Sequence, residues 1–388
     1  MAGRYNGHKG CQSLRRSIPR NYRLSEVTSG ERVMVVPEHP RLVFFYGSRE
    51  VLRTGIGRAL FGEKGAIRDV LIRCERLIRE RLGWSLEKVC IAEQLPSDDQ
   101  REPCLTALQI ALTEGWRARG VKPDAIAARC GGEFAAEYAR GTLVLEDAIE
   151  VACRFGLLVR DRGGTGRMLA IRLGLSLTER LQRSSPVEFS IAADSDDSTV
   201  IACAADAVGK LTALLAANRI EYRIIDSVMA PHSPAIDEWK ADLVKPLSGK
   251  MPDLPLVPYY SAAASGQDVG TSYTMRLWRT VREPALIERL LDTLIADGFG
   301  IFLEIGSEPL LGARVQHRAF VAGKKLVTLP RARMAAFHAV AAVAGNKVVR
   351  LPMPPATPLH VVMDGTQEIL RKLGVSFQPE KTAKNVRV

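Results

Sequence analysis

The chain has 388 residues, of which 46% are apolar and 25% charged, the balance of a globular protein large enough for two packed units or one α/β domain with an insertion. It holds no run of about 18 uncharged apolar residues, so no membrane-spanning helix and no membrane partner are expected. The net charge of +11 makes nucleic acid one candidate partner. The basic residues are dispersed, however, without a stripe interleaved with aromatics; an acidic carrier protein or a phosphate-bearing thioester such as coenzyme A accounts for the charge equally well.

In chain order, residues 1–40 read as a basic, partly disordered leader that lacks the apolar core of a secretory signal and ends in Pro37-Glu38-His39-Pro40. Arg41-Leu-Val-Phe-Phe-Tyr46 is a buried-strand pattern, followed by the turn Gly47-Ser-Arg-Glu50 and by helices to about residue 93. Helical periodicity covers Glu102 to Gly115, and Asp124-Ala-Ile-Ala-Ala128 is a short apolar strand. Ala128-Arg-Cys-Gly-Gly-Glu133 then turns sharply into the helical run Glu133-Phe-Ala-Ala-Glu-Tyr-Ala-Arg140. Leu145 to Val159 predicts another helix, closed by Asp161-Arg-Gly-Gly-Thr-Gly166.

A different pattern follows. Strands are predicted at Met168–Arg172, Val187–Ala193, Thr199–Ala204 and Tyr222–Asp226. Helices are predicted at Ser176–Arg183, opened by the capping-box spacing Ser176-Leu-Thr-Glu179, and at Ala205–Asn218. This βαββαβ order is the ferredoxin-like arrangement. Strand and helix pairs resume at Val257-Pro-Tyr-Tyr260, Leu286–Ala296 and Gly300-Ile-Phe-Leu-Glu304, and a helix is expected from Pro330 to about Ala344. Leu351-Pro-Met-Pro-Pro-Ala-Thr-Pro358 reads as a docked linker, and the last eight or so residues as disordered.

The cysteines at 11, 74, 90, 104, 130, 153 and 203 are odd in number and irregular in spacing, without a Cys-x-x-Cys pair. Neither a disulfide framework nor a metal site is expected, and a reducing cytoplasm fits. Most are expected to be small buried hydrophobes. Cys130 differs, because its strand, sharp turn and helix have the layout of a nucleophile elbow, which lifts one side chain clear of the backbone. A thiol is only partly ionised at neutral pH and needs a base or a nearby cation. His232 is the candidate base, and Arg129 the candidate cation.

The elbow stands in order with Leu82-Gly-Trp-Ser-Leu86, Gly164-Thr-Gly-Arg-Met168, Ala230-Pro-His-Ser233, Trp278 with Arg282-Glu-Pro284, and Phe302-Leu-Glu-Ile-Gly306. With these motifs, residues 41–345 resemble the acyltransferase family of malonyl-CoA:acyl carrier protein transacylases and polyketide synthase acyltransferase domains. The resemblance implies an α/β fold: an α/β-hydrolase-like large domain with a parallel sheet (41–166 and 229–345) and an inserted ferredoxin-like subdomain (167–228), with 346–388 as linker and tail. In that family the elbow reads Gly-His-Ser-x-Gly-Glu and its serine forms a covalent acyl-enzyme. Here Gly132 and Glu133 are kept, but Ala128-Arg129-Cys130 replaces Gly-His-Ser.

The resemblance further implies that His232 is the general base, its imidazole held by a backbone carbonyl at the position aligned with Thr280. The oxyanion donors would be the N–H of Gly131 and, because Ser48-Arg49-Glu50-Val51-Leu52 replaces a Gly-Gln-Gly-x-Gln loop, the N–H of Arg49. The arginine that pairs with a malonyl carboxylate aligns with Phe155. Its neighbour Arg154 does not substitute, since adjacent helical positions point about 100° apart. Arg129, Phe155 and Met229 are therefore read as substrate-binding, Met229 as an apolar wall of the pocket.

The resulting expectation is an acyltransferase of polyketide-type (antibiotic) biosynthesis. It would move a neutral, non-malonyl acyl group from acyl carrier protein or coenzyme A, through a thioester on Cys130, to a carrier-protein thiol or a natural-product hydroxyl or amine. No cofactor is expected beyond the phosphopantetheine that carries the substrate, and no nucleic acid. The alternatives are a carrier-protein thioesterase and a catalytically inactive docking scaffold. The flanks favour a free-standing cytoplasmic chain.

Overall fold

The computed structural model describes residues 41–250 apart from 50–51, 53, 55–56, 196 and 248, and residues 254–306 apart from 264–265 and 268–271. It also describes parts of 311–318 and 359–377 and the strand segments 22–25, 34–37, 327–328 and 340–342. Strands β1 (Tyr22–Ser25) and β2 (Met34–Pro37) pair antiparallel within the segment expected as leader; the rest of that segment, the Pro-rich run 351–358 and the last eight residues lie outside the described residues.

Strand β3 (Arg41–Tyr46) is buried along nearly its whole length, because its apolar run is covered on both faces, as in parallel sheets flanked by helices. Its alternation divides two cores. Leu42, Phe44 and Tyr46 face the Ala66–Leu82, Asp98–Ala118 and Leu145–Arg162 helices, while Val43 and Phe45 face the Ile287–Ala296 helix. Strand β4 (Ala125–Ala128) lies parallel beside β3.

A second, four-stranded sheet contains β5 (Gly166–Ile171), β6 (Ser190–Asp194), β7 (Thr199–Ala204) and β8 (Tyr222–Ile225) in the order β6-β7-β5-β8. With the Leu175–Ser184 and Val208–Ala217 helices, this is the expected ferredoxin-like arrangement. Its Leu169, Ile171, Ile201 and Cys203 pack on Leu211 and Leu215, leaving the opposite face, with Met168, Ala170, Val200 and Ile225, toward the cavity described below. The expected capping box does not form. The Leu175–Ser184 helix begins one residue before Ser176, with Gly174 as N-cap, so the Ser176 side chain is already inside the first turn.

The main sheet is completed by β9 (Tyr259–Ser261), β10 (Gly266–Gln267), β11 (Phe299–Glu304), β12 (Val327–Thr328) and β13 (Val340–Ala342), in the order β10-β9-β4-β3-β11-β13-β12. The four central strands β9, β4, β3 and β11 run parallel. The helix expected over 330–344 is corrected at its end: Val340–Ala342 is a strand, paired antiparallel with β11 and β12, where tertiary pairing outweighs local helical propensity. Within the segment expected as linker and tail, a helix spans Leu359–Lys372. Its Leu359, Met363 and Leu370 join the large core, and Asp364 pairs with Arg119 at 2.9 Å. Among the described residues no helix is long and apolar enough to cross a membrane.

The strand ends carry the site. The loops after β3, β4, β9 and β11 gather at the carboxyl edge of the parallel sheet, the usual ligand-binding edge of such sheets. Buried Gln109 ties two of them together, donating to the carbonyls of Gly47 (2.8 Å) and Ile305 (3.0 Å).

Candidate active site

The elbow forms as its residue sizes demand. Cys130 has φ 47°, a left-handed conformation unusual for a non-glycine residue and held only where the surroundings over-determine it. Arg129 N–H donates to Tyr46 O (3.1 Å) and Glu133 N–H to Cys130 O (2.9 Å), so strand pairing stops and the Gly132–Ala139 helix starts within the turn. A Cβ on Gly132 would sit 2.4 Å from both Tyr46 O and Gly47 O, and one on Gly131 would sit 1.8 Å from Glu102 Oε2. Only glycine lets the turn approach β3 and the Asp98–Ala118 helix this closely. The thiol is thereby lifted beside the N-terminus of the Gly132–Ala139 helix.

Cys130 Sγ faces His232 Nε2 at 3.1 Å. On the far side of the ring, His232 Nδ1 lies 2.6 Å from the carbonyl oxygen of Glu283. A carbonyl can only accept, so Nδ1 carries the proton and Nε2 is the basic nitrogen facing the thiol. The carbonyl expected at Thr280 is thus corrected to Glu283, three residues on. The reason is the helix end: the Tyr273–Arg282 helix stops at Glu283, whose extended backbone (ψ 152°) frees its carbonyl, whereas Thr280 is still within the helix. His232 itself is at φ 63°, and its N–H donates to Val281 O at 2.7 Å. Both members of the dyad therefore sit on left-handed backbone, with His232 anchored to the end of the Tyr273–Arg282 helix.

Thr280 serves the elbow instead. Its hydroxyl donates to Glu133 Oε2 (2.5 Å), as do Tyr259 to Oε2 and Ser261 to Oε1 (both 2.8 Å). Glu133 thus links the elbow helix, β9 and the helix that positions His232. It is 1% exposed, and burial pushes its carboxyl up to about 7 against the opposing hydrogen bonds. A carboxyl raised in the folded state contributes stability that is full below its ordinary value near 4.5 and is lost as pH rises through about 7. Denaturant unfolding from pH 4.5 to 8 should show wild type losing stability, of order 3 kcal/mol, relative to Glu133→Gln, which cannot ionise.

Comparison with protein families matches residues 47–331 to the acyl transferase domain family. The chain belongs to that family. Spectinabilin polyketide synthase system protein NorA of Streptomyces orinoci is 30% identical over 315 residues, covering 79% of this chain and 17% of that protein. Polyketide synthase GfsB of Streptomyces halstedii is 29% identical over 297 residues, 74% of this chain and 5% of that protein; the chain spans less than a fifth of either relative. Among solved structures, the acyltransferase domain from module 8 of the salinomycin polyketide synthase superposes with TM-score 0.70 at 22% identity, covering 90% of this chain and 80% of that one. Malonyl CoA-acyl carrier protein transacylase from Clostridium perfringens superposes with TM-score 0.67 at 17% identity, over 86% of this chain and 98% of that one. At these identities the superpositions show the shared fold.

In this acyl transferase domain the dyad opens onto a cavity of about 630 Å³ between the two sheets. Cys130, Gly131, His232, Arg49, Arg129 and Phe155 all border it, so six of the seven sequence-selected residues are brought together. Met229 is the exception. It is 1% exposed and stands behind the wall, its sulfur 3.5 Å from Arg49 Nη2, while Ser227 and Pro231 line the cavity in its place. Burial of its long apolar side chain is the ordinary preference of methionine, and Met229 joins the large core.

Phe155 is 2% exposed and meets Phe134 and Trp239 edge-on, at centroid distances of 6.0 and 6.1 Å. Arg154 pairs with Asp242 at 3.0 Å and is not among the residues that line the cavity. Of the rewritten loop, Glu50 and Val51 lie outside the described residues. The Arg49 side chain was not anticipated as an ion-pair partner: it reaches Asp98 (3.6 Å) and Glu102 (3.5 Å). Glu102 opens the helical run expected over Glu102 to Gly115, and Asp98 lies just before it.

Proposed function

We propose that this acyl transferase domain carries a neutral acyl group as a thioester on Cys130, taking it from an acyl carrier protein or coenzyme A thioester and passing it to a carrier-protein thiol or to a natural-product hydroxyl or amine. The observation that carries the reading is the dyad, Sγ 3.1 Å from Nε2 with Nδ1 held by a carbonyl. His232 Nε2 takes the thiol proton as Sγ attacks the thioester carbonyl carbon. The carbon–sulfur bond to the donor then breaks, and the departing thiolate takes the same proton back. The N–H groups of Gly131 and Arg49, both at the cavity beside Cys130, are the proposed donors to the tetrahedral oxyanion. Thioester is exchanged for thioester, so the step is close to balanced and the acyl group is easily passed on.

Phe155 supports a neutral acyl group, because an aromatic ring stands where the resemblance would place a carboxylate-binding arginine. The relatives, polyketide synthases and an acyl carrier protein transacylase, support a carrier-protein partner, and the net charge of +11 suits an acidic one. Intact-mass measurement after incubation with acetyl, propionyl, longer-chain and malonyl thioesters should show an acyl adduct on Cys130, strongest with the neutral donors. Folded protein that acquires no adduct across the panel defeats the reading. Free acid accumulating in place of transferred acyl, with a carrier present, assigns a hydrolase instead.

A further inference from the structure

Binding of a substrate carboxylate takes a guanidinium whose fork is free to face it. Arginines do border the cavity, so the replacement at Phe155 does not by itself remove positive charge from the site. Four line it, Arg49, Arg101, Arg129 and Arg223, and Arg49 is held by two acids. Arg49 follows directly on the loop after β3, and each of its three guanidinium nitrogens faces a different partner. Nη1 lies 3.6 Å from Asp98 Oδ1, Nε 3.5 Å from Glu102 Oε1, and Nη2 3.5 Å from Met229 Sδ. Arg101 is likewise engaged, with Asp98 at 2.7 Å and the Pro96 carbonyl at 3.0 Å. Arg223 is exposed on the far wall, on β8 of the small sheet.

Glu102 is the unusual member of this cluster. Its side chain is 4% exposed, and its carboxylate lies against the Cα of Gly131, the residue proposed as oxyanion donor. A carboxylate in so dry a position acts strongly on its neighbours. It faces Arg49 and stands beside Gly131.

We propose that Glu102, with Asp98, masks Arg49, and that this buried ion-pair cluster removes Arg49 as a partner for acyl groups bearing a free carboxylate and so weakens their binding relative to neutral ones. The inference rests on the neutral-acyl reading above and assigns its selectivity to a second determinant besides Phe155. Removing the Glu102 charge leaves Arg49 with a free fork edge at the cavity, and a malonyl-type donor should then be accepted.

Equilibrium binding by calorimetry in a Cys130→Ala background tests this without turnover, comparing malonyl-CoA with propionyl-CoA. The unmodified pocket should bind propionyl-CoA more tightly. Glu102→Gln should shift the ratio of dissociation constants at least tenfold toward malonyl-CoA, and Arg49→Met added to it should abolish the shift. An unchanged ratio in folded Glu102→Gln protein, a shift that survives Arg49→Met, or no binding of either donor by any variant overturns the proposal. If Glu102→Gln does not fold, Asp98→Asn must shift the ratio in the same direction, and no change there overturns it equally. Failure of the acyl-enzyme reading shows separately, as absence of an adduct on unmodified Cys130.

Discussion

Replacing Cys130 with alanine should eliminate acyl loading, and replacing His232 with alanine should slow it about a hundred- to ten-thousandfold. The difference follows from the geometry. Removing the thiol removes the attacking atom. Removing the imidazole leaves a thiol at the N-terminus of the Gly132–Ala139 helix, where a small thiolate fraction persists and reacts slowly. Cys130→Ser tests the elbow itself, because a hydroxyl on the same backbone faces the same Nε2 and has the base it needs. Its adduct should be an oxygen ester that survives neutral hydroxylamine, under conditions that strip the thioester from wild type. Initial rates of adduct formation by intact mass separate the three variants. Equal loading by Cys130→Ala and wild type would place the acyl group elsewhere and end the dyad mechanism.

Gly132→Ala should damage both stability and loading severely. The added carbon meets Tyr46 O and Gly47 O at 2.4 Å, and neither carbonyl can yield. Tyr46 O accepts from Arg129 N–H, and Gly47 O is held by Gln109. The elbow helix must therefore move outward, at a cost of about 3 kcal/mol or more, carrying Cys130 away from His232. A displacement near 1 Å is enough to lower loading about a hundredfold. Gly209→Ala is the control: nothing lies within 4 Å of its added carbon, and alanine is a better helix former than glycine. Denaturant midpoints together with loading rates should show both losses for Gly132→Ala and neither for Gly209→Ala. A Gly132→Ala protein as stable and active as wild type would mean that the elbow is not packed as described.

Much of the fold was legible because it is written in local patterns. The apolar run of β3, the βαββαβ order of the small sheet and the small residues at Gly131 and Gly132 each state a physical need within a few residues. The Leu359–Lys372 helix is legible too, since Leu359, Met363, Thr366 and Leu370 repeat at helical spacing, although the Pro-rich run before it has the composition of a linker. Val340–Ala342 was not legible, because three small apolar residues become a strand only when β11 offers an edge.

The candidate site divides along the same line. Cys130 and His232 are identifiable from residue type and neighbouring motif, since nucleophile, base and tight turn are requirements of short range. Which atoms surround them is a matter of long-range packing. The carbonyl that orients His232 belongs to Glu283 because a helix happens to end there. Met229 withdraws behind the wall and meets Arg49 across 180 residues of chain, and Glu102 comes against Gly131 only when the Asp98–Ala118 helix packs beside the elbow. Backbone preference and apolar periodicity act between neighbours and can be read along the chain. Ion pairs, ring orientation and the charge a pocket presents arise from strand order and helix packing, and these were decided only when the chain had folded.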